Sequence, residues 1–426
     1  MITVGLDFGT HQTKVCIEDR EGVELNYKFM RFEDTYHRPT FTLPSVIGVG
    51  KDGLLTYGYL PYKYEGRIIR YFKQSAFCPS KSGMVQINAL YFSTWYIAYL
   101  LFDLERMYGQ DFNIQMGAPT DSSHVTTVKQ IATRIIASAY RLVEEVFHND
   151  KESFLATPMR ELVERTIIEP YSKEIKDEYG LLVFPEAYAC LKPLIRQGKL
   201  ERGMNLMIDI GGGTTDISFF TIEKDEQENY IPQVYDFFSL NKGLNFLTRA
   251  NDSNRFDTTV NVQNADEIDG RLRVAYINEI NQICDGLKIK LQNELKKQTR
   301  RSLRDLEHGL KNRPLVYCGG GSSFKSLRVN YGGFKDKKLI SHTEWNTKSI
   351  TDIDYIIEDE LCPILSTAYG LAIYAKTDDI VMKPLCDIFK HIRNDEDLQS
   401  HGENLNHNFG KAYGGFSYTD DWSAWK

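Results

Sequence analysis

The chain has 426 residues, of which 51 are lysine or arginine and 58 are aspartate or glutamate, so its formal net charge is −7. This length exceeds a single hydrophobic core and predicts two or more lobes, while the mixed, mildly acidic charge argues against a nucleic-acid-binding surface. Seven cysteines without a Cys-x-x-Cys spacing indicate free thiols in a reducing compartment, with neither a disulfide framework nor a zinc site.

The chain begins with a strand, a tight turn and a second strand. The apolar residues 4–6 lead into Asp7, Gly9 and Thr10, and a second apolar run covers residues 13–17. A glycine lets backbone N–H groups approach a phosphate, and the carboxylate of Asp7 is a hard oxygen ligand of the kind that Mg²⁺ prefers. No basic and apolar leader precedes this strand, which predicts a cytoplasmic protein without a secretion signal.

Residues 36–111 are predicted to form an inserted subdomain that carries many of the tyrosines and phenylalanines. Its most apolar stretch, ALYFSTWYIAYLLF at residues 89–102, is too short to cross a bilayer, because a transmembrane helix needs about 20 residues. The sequence therefore predicts a buried helix here and no membrane span.

The turn pattern of the N-terminus returns at residues 206–220, LMIDIGGGTTDISFF, and a third glycine turn lies in LVYCGGGSSFKSL at residues 315–327. A single Asp-x-Gly segment is ordinary turn chemistry. Three such turns, each following a short apolar run, instead predict strand ends that hold phosphate groups.

With its three turns in this order, the chain resembles the superfamily of actin, sugar kinases and DnaK-type heat-shock chaperones over residues 1 to about 376. Those proteins carry two phosphate loops followed by an adenosine loop, in the same order along the chain. The resemblance implies an α/β fold of two duplicated ribonuclease H-like (actin-like) lobes, with inserted subdomains, around a central nucleotide cleft. Two further segments, FPEAYACL at 184–191 and STAYGLAIYA at 366–375, resemble the connecting helices of the superfamily. Their small residues would let two helices cross closely at a hinge; these residues are Ala187, Ala189, Ala368, Gly370 and Ala372.

The same resemblance divides the chain. Lobe I is expected at residues 1–204, with the insertion at about 36–111, and a C-terminal helix at about 363–395 completes it. Lobe II is expected at residues 205–362 with a mostly helical insertion at about 246–312. Residues 396–426 are rich in Gly, Asn and His and poor in aliphatic residues, so we expect an extended or disordered tail.

Three segments resemble the chaperone branch in particular: residues 41–58, 241–251 and 271–292. They match the chaperones' Thr-Pro-Ser strand, their Gly-Gly-x-x-Phe-Asp loop and their adenine-binding helix. The last match, with Asp285 and Lys288 in register, is the most specific to that branch. Apolar residues recurring every four positions in this segment equally predict a plain amphipathic helix.

The resemblance implies an ATP-binding, Mg²⁺-dependent ATPase that turns ATP slowly into ADP. It would act as a chaperone-like, nucleotide-driven switch for an unidentified protein partner or client. The implied catalytic residues are Asp7, Glu186, Asp209 and Thr214, and Asp7, Asp209 and Asp216 would hold Mg²⁺ through water. Glu186 also fits a helix N-terminus, and Asp216 a turn exit, without any catalytic role. The implied nucleotide-binding residues are Gly9, Thr10, His11, Gly211, Gly212, Gly213, Thr214, Thr215, Gly243, Asp285, Lys288, Gly319, Gly320, Gly321, Ser322 and Ser323.

Two departures from the chaperone pattern bear on the activity. Gly66 stands where the chaperones have a lysine that reaches the γ-phosphate, with Lys63 and Arg67 as candidate substitutes. The adenosine loop has Ser323 in place of a stacking arginine. The residues after the last hinge motif are also too few for a peptide-binding domain.

Three alternatives follow from these departures. The first is a filament-forming actin-like ATPase of the plasmid-segregation or cell-division type, with self-assembly, and Thr13-Lys14 resembles the segregation actins. The second is a sugar or acid kinase, for which no sugar-binding signature is present. The third is a nucleotide-binding protein without turnover.

Overall fold

The computed structural model describes residues 1–21, 24–61, 63–78, 83–119, 125–196, 200, 203–224, 230–247, 268–298, 313–331, 333–339, 357, 361–378 and 383–385. These residues form an α/β structure with two mixed β-sheets, consistent with two lobes. The predicted tail at 396–426 lies outside the described residues.

The strands, in chain order, are β1 (Ile2–Phe8), β2 (Gln12–Glu21), β3 (Glu24–Phe29), β4 (Phe32–Glu33), β5 (Pro39–Thr40), β6 (Leu43–Pro44), β7 (Ile47–Val49), β8 (Leu55–Tyr57), β9 (Arg67–Ile69), β10 (Phe112–Ala118), β11 (Leu181–Pro185), β12 (Gly203–Ile210), β13 (Thr215–Lys224), β14 (Tyr230–Leu240), β15 (Pro314–Cys318) and β16 (Lys335–Leu339). The helices are α1 (Phe72–Phe77), α2 (Gly83–Tyr108), α3 (Val125–Arg141) with a π-helical turn (Leu142–Val146), α4 (Lys151–Leu155), α5 (Met159–Arg165), α6 (Lys173–Glu178), α7 (Glu186–Ala189), α8 (Lys192–Arg196), α9 (Leu244–Leu247), α10 (Gly270–Gln298), a 3₁₀ turn (Gly320–Ser323) and α11 (Cys362–Ala372).

The two sheets repeat one topology. The first has the order β3-β2-β1-β10-β11, with β6 added to β2, and the second has the order β14-β13-β12-β15-β16. In each sheet the three consecutive strands are antiparallel, and the last two join in parallel. The inner strands are largely buried on both faces, as expected where helices cover a sheet. The predicted α/β class with a duplicated sheet is therefore confirmed.

The inserted region between β3 and β10 contains a small sheet, β8-β7-β9, followed by α1 and α2. Most of residues 89–102 are buried within α2, including Trp95, Tyr96 and Leu100. The prediction of a buried helix is confirmed. In the described ranges no helix has both the length and the apolarity needed to span a membrane.

Helix α10 occupies the predicted insertion between β14 and β15. Its buried residues are Tyr276, Ile280, Cys284, Leu287 and Leu291, which recur every three or four positions and pack on the core of the second sheet. This spacing confirms the amphipathic helix, since one face must meet the sheet while the other meets solvent.

Helix α11 passes close to α7 on one side and to β1 on the other. A β-carbon added to Gly370 would lie 1.7 Å from the carbonyl oxygen of Ala189, and one added to Gly5 would lie 2.2 Å from the backbone nitrogen of Ala372. The predicted close crossing of the two helices is confirmed, and it exists because no side chain separates the backbones. The helix ends at Ala372, well short of the predicted residue 395, and residues 386–395 lie outside the described part of the chain.

We expect Gly370→Val to destabilise the fold by about 3 kcal/mol, because the new side chain would force α7 and α11 apart. Urea unfolding measures this free energy. Gly286→Ala in α10 is the matched control, since a β-carbon there meets no atom within 4 Å. We expect that exchange to stabilise the helix by about 0.5–1 kcal/mol. Equal stability of Gly370→Val and the wild type would contradict the close crossing.

Candidate functional site

A cavity of ≈ 350 Å³ lies between the two sheets, where β1, β12 and β15 end. All three glycine turns reach it: the turn after β1, the turn after β12 and the turn after β15. The charged side chains described below also line it, together with Thr42 and Thr367. Both halves of the chain therefore build one site.

The first two turns touch each other across the cavity. A β-carbon on Gly212 would lie 2.7 Å from the His11 ring, and one on Gly213 would lie 2.7 Å from the methyl carbon of Thr10. No larger residue fits at either glycine without moving the opposite turn. The absence of side chains at these two glycines therefore lets the two turns approach closely at the edge of the cavity.

The third turn lies against the end of β12. Gly319 has a φ of +77°, and a β-carbon there would lie 2.2 Å from a carboxylate oxygen of Asp209. Glycine is therefore required at this position both by its backbone conformation and by the available space. This contact places the third turn beside the acidic end of the second turn.

Four carboxylates and two lysines line the cavity: Asp7, Glu186, Asp209, Asp216, Lys14 and Lys73. The ammonium group of Lys14 is 2.8 Å from Asp7, and that of Lys73 contacts Glu186. Within the described residues, neither Asp209 nor Asp216 has an ion-pair partner. Asp216 accepts one hydrogen bond, from the Thr214 hydroxyl at 3.3 Å, but its second oxygen is buried and has no partner there.

The excess of negative charge is visible in the pKa values. Burial, followed by the charges of the neighbouring carboxylates, Asp216 first, raises the pKa of Asp209 to about 8. Burial and then Glu186 raise the pKa of Asp216 to about 7. Burial also raises the pKa of Glu186, although Lys73 opposes that shift. The main cause is the same in each case, because burial disfavours the charged form of a carboxylate, and the neighbouring carboxylates add to it.

A hydrated magnesium ion fits this charge distribution. In the described ranges no three His, Cys, Asp or Glu side chains are placed to hold a metal ion directly. The unpartnered oxygen of Asp216 and the two carboxylates without lysines nevertheless leave room for a cation held through water or through a ligand's phosphates.

His11 brings a neutral imidazole to the same cavity. Burial, followed by the charges of Arg70 and Lys14, lowers the pKa of His11 to about 4. Its Nε2 atom is buried without a hydrogen-bond partner among the described groups, and the ring packs edge-on against Tyr71 at 5.9 Å. The neutral ring can donate one N–H to an anion in the cavity.

Most of the predicted site residues line the cavity. These are Asp7, Gly9, Thr10, His11, Glu186, Asp209, Gly211, Gly212, Gly213, Thr214, Asp216, Gly319, Gly320 and Gly321. Most of them belong to the three strand–turn patterns of the sequence, and their roles in binding and catalysis stay predictions.

Six predicted residues lie outside the cavity lining: Thr215, Gly243, Asp285, Lys288, Ser322 and Ser323. The Thr215 hydroxyl bonds the Lys242 carbonyl oxygen at 2.7 Å, and the Ser322 hydroxyl donates to the Gly319 carbonyl oxygen at 2.6 Å. These two hydroxyls thus support the turns. Gly243 packs beneath the second turn, where a β-carbon would lie 2.5 Å from the Gly211 carbonyl oxygen.

The predicted adenine-helix residues are among those six. Asp285 is exposed and Lys288 is half-buried on α10, whose apolar face is turned to the second sheet. Ser323 is half-buried in the third turn. Contact of these side chains with a nucleotide stays a prediction.

Lys73 is a cavity-lining residue that sequence reasoning missed, and Lys14 is another. Lys63 and Arg67, the candidate substitutes for the lysine absent at position 66, are both exposed and do not line the cavity. Lys73 lies in the first turn of α1 and is 2% exposed. A lysine within the apolar segment YFKQSAF was the available signal, because a lysine is rarely buried unless it is paired.

No protein-family model matches the chain, and no curated protein matches it.

We expect Asp209→Asn to stabilise the nucleotide-free protein against rising pH. The pKa of Asp209 is about 8 in the folded state and near 3.8 when unfolded, so the folded state holds the extra proton between these values. The free energy of unfolding of the wild type should therefore fall as pH rises from about 4 to about 8, and that of the variant should fall less over the same range.

Thermal unfolding at several pH values, without nucleotide or divalent cation, measures this difference. Asp285→Asn is the matched control, since it neutralises an exposed carboxylate outside the cavity. Identical pH profiles for Asp209→Asn and the wild type would contradict the charge crowding inferred here.

Proposed function

We propose that the chain binds ATP with Mg²⁺ in this cavity, hydrolyses it to ADP, and uses the two nucleotide states as a switch for a protein partner. The observation that carries the proposal is the meeting of two glycine turns, from two sheets of the same topology, across a cavity with excess carboxylates. On this view the sheets are the cores of two ribonuclease H-like, actin-like lobes.

The phosphate chain is assigned to the two facing turns. Backbone N–H groups around Gly9 and Gly212 would hold the β- and γ-phosphates, because both glycines line the cavity and carry no side chain of their own. The hydroxyls of Thr10 and Thr214 and the imidazole of His11 would add donors. Adenosine is assigned to the third turn, Gly319–Gly321, beside the apolar side chains of Pro363 and Ile364.

Asp7, Asp209 and Asp216 are assigned to hold hydrated Mg²⁺. When bound, the ion would supply neutralisation of the charge that develops on the phosphate oxygens. Its binding requires deprotonated carboxylates, so the raised pKa values of Asp209 and Asp216 make binding release protons below about pH 8.

The attacking water is assigned to Glu186. Its carboxylate is held by the Lys73 ammonium and lines the cavity, and its side chain packs against Gly117 near the end of β10. A carboxylate with a raised pKa is a better general base at neutral pH, so Glu186 can accept a proton from water as the water attacks phosphorus. Lys73 keeps Glu186 oriented, and its charge can also approach the terminal phosphate.

A filament-forming actin-like ATPase is the second candidate, and one observation favours it. The match most specific to chaperones rests on Asp285 and Lys288, which lie outside the cavity lining. The features that do line the cavity are those shared by the whole superfamily. They support nucleotide hydrolysis equally for a partner-directed switch and for a polymer.

The deciding experiment measures ATP turnover by the purified protein with and without Mg²⁺, together with light scattering on the same samples. Asp209→Ala is the control, because it removes a carboxylate assigned to Mg²⁺. We expect slow, Mg²⁺-dependent turnover that is lost in the control. Flat scattering supports the partner switch, and an ATP-dependent rise supports the filament.

Two other results would argue against this proposal. Nucleotide binding without turnover would make the chain a nucleotide sensor. Absence of both binding and turnover would overturn the proposal.

We expect Lys73→Met to lower kcat about 100-fold with a smaller change in KM, since Lys73 orients the general base and faces the developing charge. Lys63→Met is the matched control, because Lys63 is the exposed alternative in the same insertion and should leave both constants unchanged. Steady-state ATPase assays of the two variants measure this. A larger fall in kcat for Lys63→Met than for Lys73→Met would instead assign the role to Lys63, which the sequence alone had suggested.

A further inference from the structure

Three sulfur atoms meet where the first half of the chain packs on the second sheet. Cys190 directly follows α7, Met207 lies in β12 and Cys318 ends β15. The Cys318 Sγ atom is 3.5 Å from the Cys190 Sγ and 3.5 Å from the Met207 Sδ, and the Cys190 Sγ is 3.8 Å from the Met207 Sδ. Each sulfur atom therefore contacts the other two, and we call these three side chains the sulfur triangle.

The sulfur triangle is closed to solvent. All three residues are 0% exposed and belong to one apolar cluster. The Cys190 thiol also lies 3.4 Å from the Ala187 carbonyl oxygen, and the Cys318 thiol lies 4.0 Å from the Ile208 carbonyl oxygen. Thiols and thioethers are only weak hydrogen-bonding groups, so these contacts leave the sulfur lone pairs available to a stronger acceptor of electrons.

The distances within the triangle suit a three-coordinate metal ion. A point equidistant from the three sulfur atoms lies about 2.1 Å from each of them, whereas a bond from zinc to a thiolate measures about 2.3 Å. An outward movement of about 0.2 Å by each sulfur would give a bond of that length, which is within the tolerance expected of a metal site. The three ligands come from three different elements and need no large rearrangement.

The ligand types select a soft ion. Thiolates and thioethers favour Cu(I). Zn²⁺ instead takes four ligands in a tetrahedral arrangement, and Mg²⁺ takes oxygen ligands. Two thiolates and one thioether in a plane match neither of these two ions, so the Mg²⁺ assigned to the nucleotide cavity would not compete for the sulfur triangle.

We infer that the sulfur triangle binds one Cu(I) ion. On binding, the S–H bonds of Cys190 and Cys318 break, both thiolates bond to copper, and the Met207 Sδ donates a lone pair to it. Two protons pass to solvent, copper stays at +1, and no electron is transferred. None of the three side chains lines the nucleotide cavity, so the inference stands whether or not the chain hydrolyses ATP.

The ion would join the two halves of the chain. Cys190 follows the short helix that begins at Glu186, and Cys318 pairs with Asp209 and directly precedes Gly319 of the third turn. A bond from each cysteine to one ion would hold α7 against β15. Because the unfolded chain does not bring the three sulfurs together, bound Cu(I) should also raise the midpoint of thermal unfolding.

Anaerobic competition titration tests the inference. The reduced protein is titrated with the acetonitrile complex of Cu(I) in the presence of a chromogenic Cu(I) chelator, whose absorbance reports the copper that the protein does not hold. Copper is added to the folded protein and, separately, during refolding from urea, because a buried site has to open before an ion enters. We expect one ion per chain to be held against the chelator. A parallel titration with Zn²⁺ and a zinc chelator should show no ion held.

Variants identify the ligands. Cys318→Ser should weaken Cu(I) binding by more than about 100-fold, since losing a ligand costs more than the roughly 10–100-fold lost with an outer-shell partner. Met207→Leu keeps both thiols and a similar volume, and it should weaken binding about tenfold. It tests the third ligand and decides the matter if Cys318→Ser fails to fold. Cys78→Ser, a half-buried cysteine outside the triangle, is the matched control and should bind like the wild type.

Four results would overturn the inference. The first is that no ion is held against the chelator after either way of adding copper. The second is unchanged Cu(I) affinity in folded Cys318→Ser, and the third is unchanged affinity in Met207→Leu. The fourth is that the protein holds Zn²⁺ as tightly as it holds Cu(I).

Discussion

Electrostatic repulsion among four carboxylates governs the cleft between the two sheets. Asp7 lies in β1 and Glu186 directly follows β11 of the first sheet, while Asp209 and Asp216 belong to strands of the second. Two lysines form ion pairs with the first pair only, so most of the uncompensated charge lies on the second half of the chain. The meeting of the two halves at this cavity is therefore opposed by their own charge until a cation or protons enter. A ligand that brings a cation would remove this opposition, which gives a physical basis for a switch.

The glycine contacts determine how such a switch could move. On the cavity side, the first two turns meet where the His11 ring packs directly against Gly212, which has no side chain. On the far side, Gly370 lets α11 cross the backbone of Ala189 at close range. A rotation of one sheet relative to the other would have to accommodate this crossing. The chain beyond α11 joins both sheets, because Asp378 accepts a hydrogen bond from the Val183 N–H and Lys383 donates to the Val234 carbonyl.

A residue's place in the cavity could be predicted when the signal lies within a short stretch of sequence, and could not be when it depends on contacts between distant residues. Asp7, Gly9, Asp209 and the third turn were predictable, because a strand followed by a glycine turn is encoded within about ten residues. Lys73 was not, since it reaches Glu186 across 113 positions of sequence and only the packing of the insertion brings them together.

Helix α10 shows the limit of a signal from residue types. Its apolar period correctly predicted an amphipathic helix, but the direction of the individual polar side chains depends on the rotation of the helix about its axis. The buried stripe through Tyr276 and Leu287 fixes that rotation and leaves Asp285 on the exposed side. The resemblance to an adenine-binding helix could not supply this information, because it compared residue types and not faces.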